Sequence, residues 1–451
     1  MNNQLKTVFK TAPFKIMLFL LLGWIVMLFV NYYTTENIAY TGSRITFPIS
    51  VVYFSPFYWQ GILWAFVFLF FGVFVLKRTE SFSTPMLIIC YVVLIFLGNF
   101  SQGSVHNIFL RSFIDTDFQY YHDAIKITNG YDFIYHFNEK QGDLLMHSKT
   151  HPPFAVWLHY ILLKIANNSV LGLSLMMSAI GLFVIIPLIK IFNLLNVPKY
   201  QRNLILIIFA ILPAVNIYSI VSIDAVLLTF STIFLYGLLL INQANRITIK
   251  GILITLIGFT LANCVSFGGT FLAALAFLFC IYKIISKKDY YTFFNFVIVG
   301  ILFLIILIIL YFTLNYNHIE AFFSASKFEN PKGFRGFTQP FIYFFTRIEC
   351  VSEILLFLSF GFFAYLFKNK VFNLKKSDIN FVVPMLAFSV LGLMFLTGAY
   401  GTGETARACL FMYPYFILLL INVKDKQILY NIAYIALFQT FGMQLVGEYF
   451  Y

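Results

Sequence analysis

Apolar runs of about 18 or more residues recur along almost the whole chain, and a run of that length reads as a membrane span. The composition agrees. Hydrophobic residues make up 61% of the 451 positions and charged residues 11%, whereas a soluble domain carries about 25% charged residues. Spans are expected near 15–31, 61–76, 85–100, 169–189, 203–220, 222–241, 251–267, 270–285, 292–314, 351–367, 379–398, 409–422 and 428–446. The first run lacks a small-residue cleavage site, so it is expected to be retained rather than removed as a signal peptide. The chain therefore reads as one all-α, polytopic membrane domain over residues 1–451 with thirteen spans.

Charge gives the sidedness. Lys6, Lys10 and Lys15 precede the first span, which puts the N-terminus on the cytoplasmic side. Alternate loops then carry Lys77 and Arg78; Lys190, Lys199 and Arg202; Arg246 and Lys250; Lys283, Lys287 and Lys288; Lys368 to Lys376; and Lys424 and Lys426. Most acids and all seven histidines fall on the other side, and the C-terminus is extracytoplasmic. The net charge of +12 is explained by these inner loops. No basic stripe is interleaved with exposed aromatics, so nucleic acid is excluded as a partner. The five cysteines show neither metal nor disulfide spacing.

This parity requires Pro153–Ala166 not to cross. Fourteen helical residues reach about 21 Å, short of the roughly 30 Å hydrocarbon core. The segment is expected to lie along the outer interface, a depth that suits Trp157, His159 and Tyr160. Three outer loops follow, at 101–168, 315–350 and 398–408. No internal repeat is apparent.

The first outer loop carries the densest chemistry. Asp115 reads as the N-cap of an amphipathic helix with Phe118, Tyr121, Ile125 and Thr128 on one face, closed by Asn129-Gly130. Asp115 and Asp117 at its entry could together hold a divalent cation, or one could take a proton from an acceptor hydroxyl. The plainer role of such residues is capping free N–H groups. His122 and His151 read as hydrogen-bonding groups beside a polar site, and His106, His136 and His147 as interfacial side chains. No histidine spacing fits zinc. Lys149 and His151, at the rigid Pro152-Pro153 helix start, are expected beside the aspartates, with Lys149 a point charge for a lipid phosphate.

The ordered set Asp115-Thr116-Asp117, Tyr120-Tyr121-His122-Asp123-Ala124, Gly130, Tyr135 and His151-Pro152-Pro153-Phe154 resembles the first outer loop of polyprenyl-phosphate-sugar-dependent glycosyltransferases of the C superfamily (GT-C). The D-x-D with its following aromatic and D-A is similar to the glycosylphosphatidylinositol mannosyltransferase I catalytic subunit and to bacterial polyprenol-phosphate-mannose mannosyltransferases. The H-P-P stretch resembles protein O-mannosyltransferases and the lipid A aminoarabinose transferase. The close motif covers about 40 residues. Two extra spans before the loop depart from the simplest layout, so no subfamily follows. The resemblance implies juxtamembrane helices in this loop, a catalytic acid in it and an inverting transfer.

Outside the loop, Asp224 stands near the outer end of its span, where it either reaches the interface or faces a site. The turn from Gly398 to Arg407 offers glycines, a helix start and an arginine fork to a phosphate or sugar. Glu404 and Arg407 could instead form a local ion pair. In loop 315–350, Arg335 lies in a turn-rich stretch suited to covering a substrate.

The expectation is a membrane glycosyltransferase moving a sugar, mannose by resemblance, from a polyprenyl-phosphate carrier to a hydroxyl on a lipid, glycan or protein acceptor, in a bacterial plasma membrane. Asp115 or Asp117 is the expected base. Arg407 with Lys149 or Arg335 is expected at the phosphate, and Tyr120, Tyr121, His122, Asp123, His151, Asp224 and Glu404 at the substrates. No cofactor is called for beyond that divalent cation. The alternative is a lipid or glycan transporter or flippase. That class predicts charges near the midplane of the spans, where the sequence has almost none.

Overall fold

The computed structural model describes residues 58–362, 378–398, 404–447 and 449, with Lys15, Leu22 and Val26. Among the described residues the chain is helical throughout, with no strand. Seven stretches are long and apolar enough to cross a membrane: Trp59–Ser81, Val170–Leu194, Ile223–Ala244, Phe267–Lys287, Tyr290–Leu314, Ile379–Leu396 and Lys426–Val446. The expected span at 15–31 lies outside the described residues but for three positions, and that at 351–367 lies partly outside them.

In chain order, α1 (Trp59–Arg78) and α2 (Thr84–Phe100) form a hairpin. The outer loop follows with α3 (Tyr120–Ala124), α4 (Gly130–Tyr135), α5 (Met146–Lys149) and α6 (Pro153–Ile165). Then come α7 (Val170–Leu182), α8 (Ile185–Leu194), α9 (Lys199–Ile211), α10 (Pro213–Tyr218), α11 (Ile223–Ala244), α12 (Ile249–Val265), α13 (Thr270–Lys287) and α14 (Tyr290–Leu314). The last helices used below are α15 (His318–Glu329), α16 (Pro340–Phe357), α17 (Ile379–Leu396), α18 (Thr405–Ala408) and α19 (Lys426–Val446).

One of the thirteen expected spans is not a continuous helix among the described residues. The expected span 203–220 is broken: Leu212 is extended at φ −64°, ψ 135°, because the residue before a proline avoids the α region, and Pro213 starts α10. The expected span 409–422 is an unbroken but short helical run, Leu410–Asn422, with 3-10 turns flanking Tyr413–Ile417 and Pro414 in the first turn of that α segment. Both segments are almost wholly buried, so neighbours support them. Their freed backbone is met by side chains, as a low-dielectric interior requires. Asn99 Nδ2 donates to Asn216 O at 2.7 Å, Asn216 Nδ2 donates to Leu94 O and Ala210 O, and Thr440 donates to Ile211 O at 2.7 Å. Gln444 donates to Asn216 Oδ1 and accepts from Gln102.

The connections fall into two sets, each tied within itself. On the basic side, Asn203 donates to Thr79 O and Phe82 O, Gln201 to the carbonyls of Ile421 and Val423, and Lys426 pairs with Glu80 at 2.5 Å. On the other, Gln141 donates to Ala321 O, Asn138 to Asn317 O, and Tyr131 to Thr313 O.

The first outer loop is built differently from the expected amphipathic helix. Helix α3 holds five residues. Asp115 follows the short helix Arg111–Ile114 as its C-cap, and Asn129 caps the N-terminus of α4 through Tyr131 N. The competing turn chemistry of Asp and Asn explains the difference. Helix α6 has 13 residues, about 20 Å. It packs on α3, α4, α7 and α12 with Val156, His159, Leu162 and Leu163 buried.

Candidate functional site

On the side of the loop 101–168 a cavity of about 790 Å³ opens among α3, α5, α6, the start of α11, and the ends of α15 and α17 with α18. Its lining mixes apolar rings, such as Phe113, Phe118 and Phe267, with the imidazoles, acids and guanidinium of His147, His151, His159, Asp224, Glu329, Glu404 and Arg407.

Asp224 stands in the first turn of α11, whose N-cap Ser222 accepts from Ala225 N. The preceding Val221 has φ 64°, an outlier for a β-branched residue that persists only when its surroundings impose it. Ser178 Oγ accepts the Val221 N–H at 3.2 Å. On α7, a Cβ at Gly181 would lie 2.5 Å from Ser219 O, so only glycine lets this connection sit so close. The strained turn delivers the Asp224 carboxylate to the cavity.

Arg407 faces it from α18. Its Nε lies 3.4 Å from Asp224 Oδ2, and its Nη2 contacts the Glu404 carboxylate. Glu404 also has a left-handed backbone, φ 48°. The turn is anchored from behind: Glu353 on α16 accepts the Ala406 N–H at 2.9 Å, and Thr405 donates to Cys350 Sγ. The expected anion-binding helix start is therefore corrected. Helix α18 is a single turn, and one of its amides is already taken by a carboxylate. Burial pushes the Glu404 carboxyl up to about 7, against the pull of Arg407 and with a further push from Asp224 and Glu353. Such a group can take or give a proton near neutral pH.

The opposite wall is aromatic and imidazole. Tyr120 stacks on His159 at 5.3 Å between ring centroids and meets His151 edge-on at 5.2 Å and His147 at 6.0 Å. Burial lowers His147 to about 3 and His151 and His159 to about 4, so all three are neutral at pH 7. His151 Nδ1 donates to His147 O and His159 Nδ1 to Ala155 O, which leaves each Nε2 as an acceptor. Glu329 closes the far end of the cavity. Burial raises its carboxyl, and Arg335 nearby opposes the shift.

Of the residues singled out in the sequence, Tyr120, His151, Asp224, Glu404 and Arg407 come together here. Asp115 and Asp117 are exposed and lie on the strip between the lining residues Phe113 and Phe118, without lining the cavity themselves. Asp115 pairs with His106 at 3.0 Å. Tyr121 packs on Phe113, and His122 buries its Nε2 without a hydrogen-bond partner among the described residues. Asp123 is buried, pairs with Lys126 at 3.3 Å and accepts Leu145 N–H at 3.0 Å, so it locks α3 to the segment before α5. Lys149 lies over the Phe328 ring, and Arg335 donates to Glu329 O. Among the described residues no group of three or more His, Cys, Asp or Glu could hold a metal.

Sequence reasoning missed Glu329 and Glu353 and read His147 as an interfacial side chain. Glu353 carries the one available signal, an acid within an otherwise apolar run. Nothing local marks the others. No family model, no curated protein and no solved structure matches the chain.

Proposed function

We propose that the protein is a thirteen-span integral membrane glycosyltransferase that moves a sugar from a polyprenyl-phosphate carrier to an acceptor hydroxyl on the extracytoplasmic face. The observation that supports this best is the make-up of the cavity. Carboxylates on one wall and neutral rings on the other suit a polyhydroxylated ring: acids accept its O–H groups, and aromatic faces pack on its C–H faces. A cavity of about 790 Å³ is in the range of small-molecule sites.

In this reading a carboxylate takes the proton of the acceptor hydroxyl while its oxygen attacks the anomeric carbon, and the sugar–phosphate bond breaks with its electron pair leaving on the lipid phosphate. Asp224 needs no movement to serve. Asp115 or Asp117, the acids that the resemblance favours, need the strip between Phe113 and Phe118 to turn inward. Arg407 stabilises the charge that develops on the leaving phosphate. Mannose as the sugar, and a bacterial plasma membrane as the site, rest on the resemblance to GT-C enzymes.

The test is purified protein in proteoliposomes offered polyprenyl-phosphate sugars with a panel of lipid and glycan acceptors. Labelled sugar appearing in acceptor, with release of polyprenyl phosphate, supports the reading. Movement of intact donor across the bilayer with no transfer supports a flippase and overturns it.

A further inference from the structure

We propose that Arg407 receives the donor phosphate by exchange: the phosphate oxygens replace the Glu404 carboxylate on the guanidinium, and Glu404 leaves it as the neutral acid, so that a phosphodiester that finds Glu404 ionised brings one proton into the site. This rests on the phosphate role given to Arg407 above.

The geometry carries the inference. Arg407 is the cation among the described cavity-lining side chains if the neutral histidines are set aside, and it already serves two carboxylates, Asp224 at 3.4 Å and Glu404. Adding a phosphate without release would place three anions around one guanidinium whose side chain is only 20% exposed. Like charges so placed cannot all stay ionised, and one acid must protonate. The groups facing Glu404 fix which. Arg407 is on its own turn, Asp224 on the first turn of α11, Glu353 on α16 and Tyr218 at the end of α10. All but Arg407 are acids or a phenol.

Glu404 is the acid built to let go. Its side chain caps no helix, and it faces the two acids Asp224 and Glu353. Asp224, by contrast, also accepts a backbone N–H. The proton balance is closed: solvent supplies one proton to Glu404 on binding and recovers it on release. With its carboxyl at about 7 before binding, Glu404 is mostly protonated below that pH and mostly ionised above it.

The experiment is calorimetric titration of the full-length protein in detergent with a farnesyl methyl phosphodiester, which keeps one charge throughout. It is run at about pH 6 and about pH 8, each in two buffers of different ionisation enthalpy. Uptake of about one proton per ligand at pH 8 and little at pH 6 is expected, with affinity about tenfold weaker at pH 8. Glu404→Gln is expected to abolish the uptake and the pH dependence while still binding. Absence of proton uptake by the unmodified protein, uptake that persists in Glu404→Gln, or no binding at either pH overturns the exchange. No sugar is transferred in this measurement. Binding with uptake in a protein that fails every transfer assay supports the exchange and sinks only the glycosyltransferase reading.

Discussion

Glu353 accepts the Ala406 backbone N–H at 2.9 Å from α16, and so holds from behind the turn that carries Arg407 into the cavity. Both partners are buried. Glu353→Gln keeps an acceptor oxygen there, whereas Glu353→Ala leaves a buried N–H without one, which costs about 1–3 kcal/mol. Thermal unfolding in detergent is expected to show a clearly larger loss for Ala than for Gln. Equal losses would mean that the turn does not depend on this bond.

Acid is expected to destabilise the fold through the imidazole wall. His147, His151 and His159 are held at about 3 to 4, below the ordinary 6.5, chiefly by burial. The unfolded chain therefore binds more protons than the native one between those values, and stability rises with pH across that window. It is fully present above about 6.5 and lost as pH falls toward 4. The melting temperature followed from pH 7 to pH 4 should fall, and His159→Leu should flatten the fall. A melting temperature level across the window contradicts neutral burial of these rings.

Close packing of α11 on α12 is expected to depend on glycine. A Cβ at Gly258 would lie 2.4 Å from Phe234 N, and one at Gly237 would lie 2.4 Å from the Thr255 hydroxyl. Small residues let membrane helices approach backbone to backbone. Gly258→Ala should cost about 1–3 kcal/mol by overpacking, read as a lower melting temperature, while Gly300→Ala, which meets nothing within 4 Å, should be near neutral.

The helical, apolar character of the chain was legible because it rests on run length, which is local. The shortness of the helix at Pro153–Ile165 was legible for the same reason. The break at Leu212 and the 3-10 turns around Tyr413–Ile417 were less so. Pro213 and Pro414 mark them, but only the buried amides of Asn99, Asn216, Gln201 and Gln444 make them affordable, and those lie far apart in sequence. In the site, motif spacing drew the eye to Asp115 and Asp117. The cavity is instead assembled from ends of helices distant in the chain, so Glu329 and His147 became visible only in three dimensions. Asp224, Glu404 and Arg407 were each noticed singly. Their mutual contact was not written in any one segment.

The most direct test is sugar transfer from a polyprenyl-phosphate sugar by protein with Asp224→Asn, compared in one assay with Asp115→Asn and Asp117→Asn, all checked for normal insertion. Loss of a positioned proton acceptor removes roughly 10²–10⁴-fold in rate. The account predicts transfer by the unmodified protein and a loss of that size in Asp224→Asn. Full activity in Asp224→Asn, or no transfer from any donor, would contradict it.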